Sequence, residues 1–149
     1  MTRHEALVPL THDHHHFLAH AVRMEEAATQ DSAARRLAAD DYLSFYLGKG
    51  LRNMREEHEL FFPATFFASD SARSLVLRAV AAHLAMYHRT HGLQQELATG
   101  DIAPETLEQL AEILREHVRF EESELFTEIQ NAIPEDELLR LGQTYRRDV

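Results

Sequence analysis

His117 and Glu121 stand one helical turn apart in the stretch 107–129, where Leu110, Leu114, His117, Glu121, Leu125 and Glu128 recur at helical spacing. An imidazole and a carboxylate inside an otherwise apolar stripe are out of place. Taking a carboxylate out of water without a partner costs several kcal/mol, so either that face is wet or something positive compensates Glu121. A metal ion held jointly by imidazole nitrogen and carboxylate oxygen would do so. The plain alternative is a surface histidine–glutamate pair. What separates the two is whether other helices bring matching ligands.

Three other stretches do. The run His12, Asp13, His14, His15, His16 opens the first helical segment, and the stripe Leu10, His14, Phe17, Ala21, Met24, Ala28 favours His14 as the inward histidine. A shift of one residue selects His15, Leu18 and Val22 instead. Taken alone, this run has a lesser alternative reading as a solvated helix start or an adventitious metal-binding patch. In the second segment Glu57 shares a face with Asn53, Leu60, Phe61 and Ala64, while His58 lies about 100° round, beside Met54 and Phe62. His58 is a ligand if the helix is rotated slightly, or a histidine packed between neighbouring helices. In the third, Val76, Val80, His83, Tyr87 and His91 share a face. His83 is the strongest candidate there. Tyr87 offers a hydrogen-bond donor, a phenolate ligand or a plain core aromatic; His88 faces water, and His91 sits behind the ligands or at the bundle mouth. Coincidence in all four helices is far less probable than in any one. A bundle core lined by histidine and carboxylate is the arrangement that holds one or two first-row transition metals, and oxygen and nitrogen donors suit iron or manganese. Ferritin-like di-iron bundles carry Glu-x-x-His, whereas the order here is His-x-x-x-Glu.

The elements that must position these residues are all helical. Glycine and proline are scarce, and Ala/Leu/Glu/Arg-rich tracts predominate. The first helix is expected from Thr11 or His12 to Thr29, after an arm ending near Pro9. Asp31 and Ser32 cap a second stretch from Ala33 to Phe67, with a kink or short break at Gly48 and Gly50. Asp70 and Ser71 cap a third that ends at Thr99-Gly100; Pro104 and Glu105 open a fourth that Pro134 stops near Ile133. A short terminal helix then runs to about Tyr145. The expected architecture is all-α: an antiparallel up-down-up-down four-helix bundle with a short C-terminal helix, one domain over 1–149, with no internal repeat, linker or low-complexity segment.

Composition removes several classes of function. Fifteen Lys+Arg against 25 Asp+Glu give a formal charge of −10, and no basic cluster appears, so a nucleic-acid partner is not expected. With no cysteine there are no disulfides, thiolate metal sites or cysteine nucleophiles. No apolar run approaches the roughly 20 residues of a membrane span, and 1–10 carries no signal-peptide core, so a cytoplasmic protein is expected. No nucleophilic triad, phosphate loop or general-acid carboxylate pair marks another enzyme class.

The run His117-Val118-Arg119-Phe120-Glu121-Glu122-Ser123-Glu124-Leu125-Phe126 resembles the last-helix signature of the hemerythrin-like HHE cation-binding domains. Asn53 to Pro63 resembles their second-helix signature, normally His-x-x-x-Glu-Glu closed by Phe-Pro. The likeness extends over essentially the whole chain, including the histidine-rich opening and His83. It implies a four-helix bundle with a non-haem di-iron centre bridged by carboxylates and an oxo or hydroxo group. Carried over residue by residue, it implies His14 (or His15), Glu57, His83, His117 and Glu121 as ligands, with Glu57 and Glu121 bridging. Asn53 departs from the pattern, because the family usually has histidine there and asparagine is a poor iron ligand. Either His58 substitutes, or Tyr87 supplies a phenolate, or the site holds one metal, holds it weakly or stays empty. Thr127, where the family often has proline, bears only on the helix ending. The resemblance implies handling or sensing of O2, peroxide, NO or iron, with a small diatomic or peroxide ligand as partner. Two other readings come from the residues: a metal-poor bundle acting as an interaction or regulatory module with a degenerate site, and zinc or nickel bound by the His12 to His16 cluster. None of these patterns dictates an oligomeric state.

Overall fold

The computed structural model describes residues 2–144, which form five helical rods and no strand. The first, α1 (Val8–Ala28), begins a turn earlier than Thr11, because Pro9 falls in its first turn, where a missing N–H costs nothing. Asp31 caps α2 (residues 32–66) by accepting the Ala34 N–H at 2.9 Å. This rod does not break at Gly48 and Gly50. It absorbs them as a π-helical turn, Tyr46–Gly50, and carries a second, Glu57–Phe61, before ending at Phe66.

The cap of α3 (Asp70–Thr99) is Ser69, whose hydroxyl accepts the Ala72 N–H; Asp70 stands instead in the first turn, at the positive end of the helix dipole. Gly100 ends the helix at φ 145°, a conformation that only glycine adopts without strain. The fourth rod, α4 (residues 104–132), opens on Pro104, contains the π turn Glu121–Leu125, and stops where Ile133 turns extended ahead of Pro134. Last comes α5 (Glu135–Thr144), while Tyr145, the expected end of that helix, lies outside the described residues.

Short connections make successive rods antiparallel, and cross-bundle contacts fix the register: Tyr42 with Thr90, His58 with His83, and Arg78 with Glu124. Arg35 ties the start of α2 to the α3–α4 connection through the Ile102 carbonyl at 2.8 Å and the Asp101 carboxylate at 2.9 Å. The apolar interior comes in two parts. One, around Phe17, Met24, Tyr42, Met86, Leu110 and Leu114, fills the end near the α1–α2 and α3–α4 connections. The other, around Leu10, Phe61, Phe62, Leu125, Phe126 and Ile129, fills the opposite end and is closed by Leu138 and Leu141 of α5. That closure needs Gly142, since a Cβ there would come 2.7 Å from the Ala6 Cβ and 2.9 Å from its Cα. Between the two apolar parts lies a layer of buried polar side chains. No helix among the described residues is long and apolar enough to cross a membrane.

Candidate metal centre

The polar layer is built around Glu57 and Glu121, both fully buried. Glu121 begins the π turn of α4 and Glu57 begins the second π turn of α2. The extra residue in such a turn rotates the positions C-terminal to it. Ile129 rather than Glu128 therefore faces inward, and Leu125 and Phe126 are both buried. The His83 and His117 rings approach each other with their Nε2 atoms 3.0 Å apart. His117 Nε2 is 3.2 Å from Glu121 Oε1, and His83 Nε2 is 3.5 Å from Glu57 Oε1 and 3.8 Å from Glu121 Oε2. Glu57, His83, His117 and Glu121 thus offer one ligand atom each, all within 4.8 Å of one another.

His14 of α1 approaches from the other side, 1% exposed, with Nε2 3.0 Å from Glu121 Oε1 and Nδ1 2.6 Å from Glu122 Oε2. Glu122 is fixed in turn by the Thr11 hydroxyl at 2.8 Å and by Arg3 at 3.2 Å, so the N-terminal arm helps aim the His14 ring. Behind His83, His58 Nε2 meets Nδ1 at 2.7 Å. Each ring also lies on an aromatic: His14 is stacked on Phe126 with centroids 5.4 Å apart, and His83 on Phe62 at 5.9 Å.

A two-fold correspondence emerges. His14 matches His83, Glu121 matches Glu57, Phe126 matches Phe62, and the two π turns occupy equivalent places. No internal repeat shows in the sequence, since what repeats is about ten residues and not a helix pair. The correspondence fails at two points. Asn53 stands where α4 has His117, and its amide donates to Asp13 Oδ2 at 3.2 Å and to the Leu10 carbonyl at 3.4 Å. His58, with a neutral ring, stands where α4 has the carboxylate of Glu122.

The electrostatics are those of a site missing positive charge. Burial, and then the charge of Glu121, push the Glu57 carboxyl well above its ordinary range. Burial pushes Glu121 upward too, but His117 and the hydrogen bonds it accepts outweigh this and hold it well below. Burial alone would keep His14 neutral; its bonds to Glu121 and Glu122 prevail and raise it to about 9. His83 is pushed down to about 3, chiefly by burial, and stays a neutral imidazole with a lone pair to give. Both Glu57 oxygens and Glu121 Oε2 are buried without a hydrogen-bond partner. Such atoms cost about 1–3 kcal/mol each, and more when charged. A divalent cation would satisfy all three, and two imidazoles with two carboxylates fit iron, manganese or zinc.

Of the other candidates, His15 is exposed, its ring edge-on to His12 at 6.2 Å, and does not enter the layer. His58 is half-buried and reaches the cluster only through His83. Tyr87 is half-buried, within electrostatic reach of Glu57, its ring 6.5 Å from that of Tyr46. His88 and His91 are exposed; Met86 and Thr90 take the inward places that the Tyr87 and His91 spacing suggested. Sequence reasoning missed Asp13, buried beside Asn53, and Glu122 behind His14. The acidic residue next to each of His14 and Glu121 was the available signal. A cavity of about 190 Å³ between α3 and α4 has Arg78, Ala82, Ile113, His117 and Phe120 among its lining residues. The larger groove, about 510 Å³, runs along Glu25, Glu108, Glu112 and Arg115 and includes none of these buried residues.

Compared with known families, the chain matches the model of the hemerythrin HHE cation binding domain over residues 6–129. No curated protein and no solved structure matches it.

Proposed function

The chain belongs to the hemerythrin HHE cation-binding domain family, and on that basis we propose that its buried histidine–carboxylate layer binds non-haem iron and handles or senses a small ligand: O2, peroxide or NO. The observation that carries this reading is the convergence of Glu57, His83, His117 and Glu121 around one point, with three carboxylate oxygens buried and otherwise unpartnered. Those four residues hold the first cation. Glu121 lies between that position and His14, its Oε1 3.2 Å from His117 Nε2 and 3.0 Å from His14 Nε2. Bound iron would supply a ferrous–ferric redox couple and a coordination position for the small ligand.

The chain's own groups do the rest. Phe62 and Phe126, stacked on His83 and His14, keep water away from the rings and restrict their rotation. Glu122, held by Thr11 and Arg3, accepts from His14 Nδ1–H and leaves Nε2 directed inward. With His83 in the tautomer that donates from Nδ1, His58 accepts that proton, and Nε2 of His83 presents its lone pair to the cation. The cavity of about 190 Å³ with His117 in its lining has room for a diatomic molecule or peroxide next to that ring.

Anaerobic loading with ferrous iron followed by air tests the reading. It should generate near-UV and visible absorption from protein-bound ferric iron. Asn53 favours a second reading, a bundle that has lost its metal and acts as an interaction or regulatory module; a colourless product without stoichiometric metal would select it.

A further inference from the structure

Two side chains fix the His14 ring, and Arg3 holds both of them. Glu122 Oε2 lies 2.6 Å from His14 Nδ1, and the Phe126 ring is stacked on the imidazole with the planes 8° apart. The Arg3 Nη2 donates to Glu122 Oε1 at 3.2 Å and to the Glu122 carbonyl at 2.6 Å, while the guanidinium carbon lies over the Phe126 ring, 5.1 Å from its centroid. Arg3 Nη1 donates to Gln130 Oε1 at 3.2 Å. A planar guanidinium can serve three acceptors and a ring face at once, which the single charge of a lysine ammonium cannot. Beyond Arg3 the arm is fastened by polar bonds at or near the surface. His4 Nε2 lies 2.9 Å from Glu135 Oε2, the His4 N–H donates to Gln130 Oε1 at 3.0 Å, and Gln130 Nε2 donates to the Thr2 carbonyl at 3.0 Å. Water can replace such bonds at small cost, so a segment held by them opens more readily than a packed one. Ala6 and Leu7, by contrast, are buried and apolar, which sets the limit of the part that can open at residues 2–5.

We propose that Arg3 is a positioning residue for the buried layer: by holding Glu122 and Phe126 against His14 it keeps that imidazole on Glu121, and so couples docking of residues 2–5 to binding of a cation by Glu57, His83, His117 and Glu121. The inference rests on the metal-binding reading above and adds a connection from the buried layer to the surface. The last link is the bond of 3.0 Å between His14 Nε2 and Glu121 Oε1, which leaves Glu121 Oε2 buried and without a partner. A fixed His14 holds the Glu121 carboxylate with Oε2 free for the cation. A loosened His14 lets the carboxylate turn, and the cation must then order it on binding. Linkage makes the effect reciprocal: if a docked arm strengthens cation binding, the bound cation strengthens docking by the same factor. The arm thereby carries the state of the buried layer to the surface.

The experiment is amide hydrogen exchange of residues 2–7 in the full chain, with chelator and with saturating Fe(II) under anaerobic conditions, alongside Fe(II) titration by calorimetry. The amides of His4, Ala6 and Leu7 report docking, because they donate to Gln130 Oε1, His4 Nδ1 and the His4 carbonyl. Arg3→Lys, which keeps the charge and loses the fork, should weaken Fe(II) binding by about three- to tenfold at unchanged helix content. That is less than the ~10–100-fold typical of groups bonded directly to a metal ligand, since Arg3 stands one contact further out. In the wild type, Fe(II) should slow exchange of these amides by about the same factor. Glu122→Gln, which removes the charge that Arg3 and His14 share, should leave arm exchange indifferent to Fe(II). An arm that served only to cover the end of the bundle would show no response to the cation. Equal Fe(II) affinity in the wild type and Arg3→Lys, or arm exchange unchanged in a wild type that has bound Fe(II), would overturn the coupling and leave the metal site standing. A wild type that binds no Fe(II) would remove the metal-binding reading and the coupling with it.

Discussion

Replacing Glu57 by methionine should stabilise the metal-free protein. In the metal-free fold the Glu57 carboxyl is fully buried, has no hydrogen-bond partner on either oxygen, and faces the charge of Glu121. Methionine has similar length and volume and nothing to desolvate. Removing a buried carboxyl that has no partner on either oxygen relieves a penalty of about 1–3 kcal/mol. Taking about 2 kcal/mol as the central value, and about 2–4 °C per kcal/mol for a chain of this size, Tm should rise by about 4–8 °C. The effect must depend on pH, with a definite sign. Because the folded-state pKa of Glu57 lies above its ordinary 4.5, the wild type carries no penalty below that pH and a growing one as pH rises toward the folded value. The advantage of Glu57→Met should therefore be smaller near pH 4.5 than at pH 8. Excess metal should invert the order, since binding at a hundredfold excess over Kd adds about 2.7 kcal/mol to the wild type and nothing to a variant without the ligand. Thermal melts of both proteins at the two pH values, with chelator and with Fe(II), measure all of this. A chelated Glu57→Met protein melting below the wild type at pH 8 would defeat the prediction, because it would mean that the carboxylate is already satisfied in the empty fold.

Further substitutions are read by the same assays. Glu121→Ala and His83→Ala should each abolish metal binding with helix content by circular dichroism nearly unchanged; full iron stoichiometry in either would contradict the site. His14→Gln should weaken metal binding by at least about tenfold, whereas His15→Gln should leave it alone and change stability by less than about 0.5 kcal/mol, because the His15 ring is exposed. Tyr42→Phe should cost about 1 kcal/mol in denaturant melts with no effect on metal, since the buried Tyr42 hydroxyl meets Thr90 Oγ1 at 2.9 Å in the apolar half away from the site.

Much of the scaffold is written locally. Asp31, Gly100, Pro104 and Pro134 act on the few residues beside them, and the helix limits they imply hold to within a residue or two. The four inward positions Glu57, His83, His117 and Glu121 are legible for the same reason: a His or Glu in an apolar stripe needs only the 3.6-residue period to be seen. What the period misses is whatever interrupts it. A π turn has no strong signature in composition, so the 3.6-residue period points Glu128 inward where Ile129 is buried, and the glycines that suggest a kink or short break lie in a π turn of a rod that continues. Pairings across the bundle are also invisible to periodicity. Asp13 against Asn53, Glu122 behind His14 and His58 behind His83 each join residues at least 25 positions apart. They decide how each imidazole is aimed.

Glu57, His83, His117 and Glu121 are placed so that they could hold a cation, and metal content decides whether they do. Protein made without a histidine tag, loaded anaerobically with Fe(II), freed of excess by gel filtration and measured by elemental analysis should retain at least one iron per chain, with none retained by His83→Ala. A wild type that emerges without stoichiometric metal, or a His83→Ala variant that holds as much as the wild type, would mean that the buried layer is not a metal site.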